Sequence, residues 1–152
     1  MLKTKNRGFS LVELLIVISI IGLLSSIVLP AVNSGRTKAN NAKVKAQLSS
    51  IRDAAEVYYS TNGNYGATVV TDACPSGGPI VGMFADTTSN LAALSNSVNY
   101  PTLENTLICN SSGTEYAVSD QLSSGFWCVD SNGSSKAESA ALTTSPAQTQ
   151  CP

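Results

Sequence analysis

One acidic side chain sits where packing alone has no use for it. Glu13 stands inside the apolar run Leu11-Val12-Glu13-Leu14-Leu15-Ile16-Val17-Ile18, and the next charged residue is Arg36. A carboxylate in such a setting is costly without a partner, so its default reading is a functional site. Just ahead lie Lys3, Lys5 and Arg7, then Gly8-Phe9. A cut after Gly8 would put a new amine on Phe9, four positions before Glu13. Within one helix that is an i, i+4 pair at the N-terminus, where a negative charge also suits the macrodipole. Between chains the same pair would neutralise two charges otherwise buried as helices bundle. The competing reading leaves Glu13 at headgroup depth, reaching water.

The other reactive residues are four cysteines, Cys74, Cys109, Cys128 and Cys151, all downstream of the apolar run. An even number in an exported domain argues for two disulfides. No Cys-x-x-Cys pair is present, so a zinc site is not expected. Three connectivities are possible. Histidine is absent, which removes the commonest general base and metal ligand. With no nucleophile beside a base, no phosphate loop and no telling acid pair, neither an enzyme nor a cofactor is expected.

Weaker patterns have plainer readings. Asp130-Ser131-Asn132-Gly133 resembles the start of a calcium loop, but Leu142 stands where the closing glutamate belongs, so a turn is expected and no metal. Asn110-Ser111-Ser112 and Asn132-Gly133-Ser134 match glycosylation sequons, which arise often by chance in a Ser- and Asn-rich chain. Phe126 and Trp127 suit a surface-binding patch or, more simply, core packing with one exposed ring. Arg36, Lys38, Lys43, Lys45 and Arg52 lie on two flanks of a helix without interleaved aromatics. That suits a solvated or subunit-bridging face better than DNA, and no specific nucleic acid is expected.

The element that positions Glu13 is the apolar segment itself. From Leu14 to Gly35 nothing is charged, which meets the need of about 20 apolar residues for a membrane-crossing helix. The leader is unlike a secretory signal, whose small-residue cleavage site follows the apolar region. Here Gly8 precedes it, so cleavage would keep the helix. Gly8-Phe9-Ser10-Leu11-Val12-Glu13-Leu14-Leu15 resembles the class III signal of type IV pilins and of type II secretion pseudopilins. The resemblance implies a prepilin peptidase that cuts after Gly8 and N-methylates Phe9. It also implies assembly through Phe9 and Glu13 with copies of the chain or related pilins, at an inner-membrane assembly platform. The protein would then be a filament subunit, in a pilus or, alternatively, in a secretion pseudopilus. A minor tip subunit that binds a surface or DNA is a further alternative. Pilins often close a C-terminal loop with a disulfide, which favours Cys128–Cys151 and would leave Cys74 with Cys109.

Orientation follows from the cysteines, since basic residues flank the apolar run almost equally on both sides. An oxidising exterior places the N-terminus in the cytoplasm, with one membrane span before assembly and an extracellular or periplasmic filament after it. Six basic and ten acidic residues follow Gly8.

Residues 9 to about 60 read as one long helix, interrupted at Gly22 and Pro30. Pro30 lacks the N–H that would meet the Ser26 carbonyl, so a kink is expected. Beyond it Val44, Leu48, Ile51, Ala55 and Tyr58 form one apolar stripe, with Ala39, Ala42 and Ala46 on another face. Asn62-Gly63 ends the helix. Short strands are expected at Ala67-Thr71 and Ile80-Phe84, and a short helix at Ser89-Val98 capped by Ser89 with Leu91 and Leu94 inward. Thr106-Cys109, Glu115-Gln121, Gly125-Asp130 and Ser134-Glu138 are β-prone segments separated by turns. They predict three or four antiparallel strands, with Tyr116, Val118, Phe126 and Cys128 facing the helix.

The expected architecture is therefore α+β, a long helix packed on a small antiparallel sheet, which the resemblance makes a pilin fold. Its parts would be a leader at 1–8, the apolar assembly half of the helix at 9–36 and a head at 37–152. The head would hold the amphipathic helix, a variable loop at 61–105, the sheet at 106–138 and an irregular C-terminal loop at 139–152.

Overall fold

The computed structural model describes residues 8–66, 74, 82–101 and 106–152. The expected strand at Ala67-Thr71 lies outside them. Two compact units are present, Met1–Lys38 and Ala39–Pro152. Helix α1, Leu11–Asn62, supplies the described residues of the first unit beyond Ser10 and runs on into the second. Gly22 and Pro30 lie inside it without ending it: the helix runs from Leu11 to Asn62. A proline removes one backbone hydrogen bond, and the bonds on either side carry the helix past it. Apolar side chains from Leu11 to Val32 are exposed, and α1 is the one helix among the described residues long and apolar enough to cross a membrane.

In the second unit α1 turns amphipathic. Val44, Leu48, Ile51, Ala54 and Ala55 are buried, with Tyr58 partly covered. The helix ends as its sequence asks: Gly63 adopts φ +71° and its N–H reaches the Tyr59 carbonyl at 2.7 Å. Four strands follow, β1 (Ile108–Ser111), β2 (Tyr116–Gln121), β3 (Phe126–Asp130) and β4 (Ser135–Glu138), in an antiparallel sheet of order β1-β2-β3-β4. The α+β architecture is thus as expected.

The register sets which side chains meet the helix. Cys109, Val118 and Val129 stand opposite one another across three strands, and with Tyr116 they join the helix residues in the main core. Phe126 and Cys128 have the other parity. Cys128 packs with Ala117 and Leu142 in a second, smaller core. The expected inward face is therefore corrected on β3: Trp127 and Val129, not Phe126 and Cys128, pack toward the helix.

Between helix and sheet the expected strand at Ile80-Phe84 is also corrected. Gly82–Ala85 is one turn of 3-10 helix, burying the adjacent Met83 and Phe84. A strand would have sent those two neighbours to opposite faces. The expected helix at Ser89-Val98 shrinks to α2, Leu91–Leu94, followed by a 3-10 turn at Ser97–Asn99. Ser89 does not cap it. Its N–H and hydroxyl both donate to Asp86, and Asn90 at the cap position is left-handed, φ 66°. Leu91 is buried and Leu94 half-buried, both toward the core.

Candidate functional site at the helix start and the clamp on the C-terminal segment

Gly8, Phe9 and Glu13 fall within the first turn and its approach. Gly8 and Phe9 are exposed and precede α1, with Phe9 at 76% of its full exposure. Glu13 does not hang free: its Oε2 accepts the backbone N–H of Ser10 at 2.9 Å. Ser10 answers with its hydroxyl oxygen, which accepts the N–H of Val12 at 3.3 Å. This is a reciprocal cap of the Ser-x-x-Glu kind, which satisfies two of the backbone donors that a helix start leaves unpaired. Ser10 is the residue sequence reasoning missed, although the Ser10-Leu11-Val12-Glu13 spacing carries that signal openly. The cap aims the carboxylate back along the chain, toward the backbone just beyond Phe9.

The cysteines form two disulfides, Cys74–Cys109 and Cys128–Cys151. The first belongs to the main core and the second to the smaller one, so each face of the sheet carries one.

Around the second disulfide the sheet grips the C-terminal segment with polar side chains. Asn110 donates through Nδ2 to the carbonyls of Thr143 and Gln148, both at 2.9 Å. Ser119 Oγ accepts the Leu142 N–H, and Asp130 Oδ2 accepts that of Cys151 at 2.9 Å. Glu115 accepts from Thr149 Oγ1 and Gln150 Nε2. The segment from Ala140 has no helix or strand beyond a single bridge, Thr144 to Ala147, yet side chains of the sheet hold its backbone at Leu142, Thr143, Gln148, Cys151 and, through Lys136, Pro152.

Two sequence patterns are decided by that grip. Asn110 is fully buried, so its sequon presents no accessible amide. Asp130 also accepts the N–H groups of Asn132 and Ser134 on Oδ1, so the calcium-like segment folds as a turn around its own carboxylate. Burial pushes the Asp130 carboxyl up, but the N–H donors from Cys151, Ser134 and Asn132 outweigh it and hold it below the usual range. Among the described residues no cluster of ligating side chains is placed to hold a metal.

Asp120 has the opposite balance. It is buried, its Oδ1 accepts the Thr106 hydroxyl at 2.7 Å, and among the described residues its Oδ2 has no hydrogen-bond donor. Burial raises its carboxyl above the ordinary value, only partly countered by Thr106 and the Gln121 backbone. Nearby, Trp127 lies under Lys45, whose Nζ is 4.1 Å from the ring centroid. Tyr65 packs between Tyr59, whose ring is tilted to it, and Tyr116, which it meets edge-on, and donates to Glu56 at 2.9 Å. Burial and Glu56 push its hydroxyl up to about 12.

The prokaryotic N-terminal methylation motif matches residues 3–29, the stretch that holds Gly8, Phe9 and the Ser10–Glu13 cap. Over 64 residues the chain is 36% identical to type II secretion system core protein G of Klebsiella pneumoniae, covering 42% of this chain and 46% of that one. It is 39% identical over 59 residues to the type IV wide pilus major component PilA4 of Thermus thermophilus, covering 39% and 45%. The N-terminal part of the chain is similar to type IV pilins and to type II secretion pseudopilins. A third relative, the type IV major pilin protein PilA of Myxococcus xanthus, is 33% identical over 61 residues, 40% of this chain and 28% of that one. The shared stretch spans less than half the length of each of these pilin and pseudopilin relatives.

Proposed function

We propose that this chain is a structural subunit of a type IV pilus-like filament. Prepilin peptidase would cut after Gly8 and methylate the Phe9 amine. The apolar half of α1 holds the subunit in the cytoplasmic membrane with its N-terminus inside, then exchanges lipid for neighbouring helices in the filament. Glu13 neutralises a Phe9 amine, its own or a neighbour's, during that exchange. The partners of the pathway are copies of the chain or related pilins, the peptidase and an inner-membrane assembly platform. The observation that carries the reading is the exposed apolar face from Leu11 to Val32, capped by a carboxylate. An apolar surface of that extent calls for lipid or other helices. Similarity to type II secretion core protein G favours a second reading, a short pseudopilus in the envelope.

The deciding experiment is the mass of the N-terminal peptide, measured separately in sheared surface material and in membranes. A methylated Phe9 terminus in the sheared fraction supports the surface pilus. The same terminus confined to membranes supports the pseudopilus. An intact Met1 beside an active peptidase removes both.

A further inference from the structure

The chain contains two Asn-Gly pairs, Asn62-Gly63 and Asn132-Gly133. This dipeptide is prone to an internal reaction, because glycine has no side chain to keep its amide nitrogen from the preceding carboxamide. The Gly nitrogen bonds to Cγ of Asn and its proton passes to solvent base, while the side-chain nitrogen leaves as ammonia. Water then opens the five-membered imide at either carbonyl, giving aspartate or the isoaspartyl isomer. One water enters and one ammonia departs, so the step needs no oxidant or second substrate.

The two pairs stand in opposite circumstances. Asn62 donates through Nδ2 to the Tyr58 carbonyl at 3.0 Å, and Gly63 N–H is held by Tyr59 at 2.7 Å. Both reacting groups are thus tied into the last turn of α1. Asn132 lies exposed at the β3–β4 turn, and among the described residues its carboxamide makes no hydrogen bond. Gly133 N–H reaches the Asp130 carbonyl only at 3.3 Å, and nothing lies within 4 Å of where a Cβ would stand.

We propose that Asn132 is a site of spontaneous deamidation and backbone isomerisation, and that the product loosens the grip of Asp130 on the C-terminal segment. The isoaspartyl link adds a methylene to the backbone between Asp130 and Ser134. Two of the three N–H groups on the Asp130 carboxylate come from that short span, at Asn132 and Ser134. The reaction also adds a negative charge beside Asp130, which disfavours the ionised cradle. A long-lived copy would thereby differ chemically from a new one at one known turn.

The test uses the purified full chain in detergent, kept warm at mildly alkaline pH and sampled over days by peptide mapping. The peptide holding Asn132 should gain about one dalton and an isoaspartyl signal, at least about tenfold faster than the peptide holding Asn62, which must first leave its helix turn. Asn132→Gln should abolish the gain while leaving Asn62 as it was. Hydrogen exchange at the Cys151 and Ser134 amides should rise as the converted fraction grows. Equal rates at the two asparagines would overturn the proposal. So would an unconverted Asn132 in the folded chain beside conversion in urea, or conversion with no change at those amides.

Discussion

Asp130 accepts the backbone N–H of Cys151 at 2.9 Å, joining a β3 carboxylate to a residue 21 positions later. With the N–H groups of Asn132 and Ser134 on its other oxygen, this buried side chain holds a turn and a tail at once. Asp130→Ala is expected to cost about 1–3 kcal/mol, since it strands three backbone donors. The folded carboxyl lies below its ordinary value, so its contribution is fully present above about pH 4 and fades as pH falls through the folded value. Urea unfolding of wild type and variant at neutral and acidic pH checks this. A gap between them that is unchanged by acid would contradict the assignment.

Asp120 predicts the reverse sign. Its folded carboxyl is raised, so protonation favours the folded state, and that advantage is lost as pH rises through the folded value. Asp120→Asn keeps the shape without the buried charge. It should be more stable than wild type at neutral pH, by on the order of 1 kcal/mol, with the difference shrinking toward pH 4. A variant weakened equally at both pH values would mean that the carboxylate is satisfied in the fold.

Gly125 and Gly133 both adopt positive φ, +72° and +84°. A Cβ at Gly125 would stand 2.6 Å from the Glu138 carbonyl oxygen, whereas at Gly133 it meets open space. Gly125→Ala therefore adds a backbone clash to left-handed strain and should cost about 2–3 kcal/mol, against roughly 1 kcal/mol for Gly133→Ala. Thermal melts of the two variants decide it, and equal losses would show that the β2–β3 turn can shift aside.

At the helix start the cap and the proposed assembly role of Glu13 can be tested apart. Ser10→Ala removes the hydroxyl that holds Val12 N–H and should cost the first turn about 1 kcal/mol. Glu13→Leu should still give a processed, membrane-held protein but few filaments. Gly8→Arg should leave Met1 in place. Normal filaments from Glu13→Leu, counted in sheared fractions, would sink the role assigned to that carboxylate.

The helix and the four strands were readable because each carries its own periodicity and its own turn residues. Val44, Leu48 and Ile51 repeat at helical spacing, and strand limits fell within two residues of those observed. The facing of β3 was not readable from alternation. Phe126 and Cys128 are as apolar as Trp127 and Val129, because the sheet is covered on both sides, by α1 and by the C-terminal segment. Which parity meets the helix depends on the partner strand, and that is long-range information. Met83 and Phe84 failed for a related reason, since two adjacent buried residues suit a tight turn as well as a strand. The polar grip of Asn110, Glu115, Ser119 and Asp130 left no local mark at all. Its acceptors and donors are mostly backbone groups 21 to 38 positions away, which any sequence would supply.

The two disulfides also determine how the chain would transmit tension. A pull that enters at Cys74 crosses the first bridge to Cys109, runs through β1 and β2 into β3, and leaves across the second bridge from Cys128 to Cys151. The spans enclosed by the bridges, whose ends are 35 and 23 positions apart, lie outside that route and cannot pay out as slack. β4, the β3–β4 turn and the gripped C-terminal segment are thus mechanically idle. Beyond Cys74 the load falls on the short stretch from Cys109 to Cys128, which sets how far this part of the chain can stretch before a covalent bond must give.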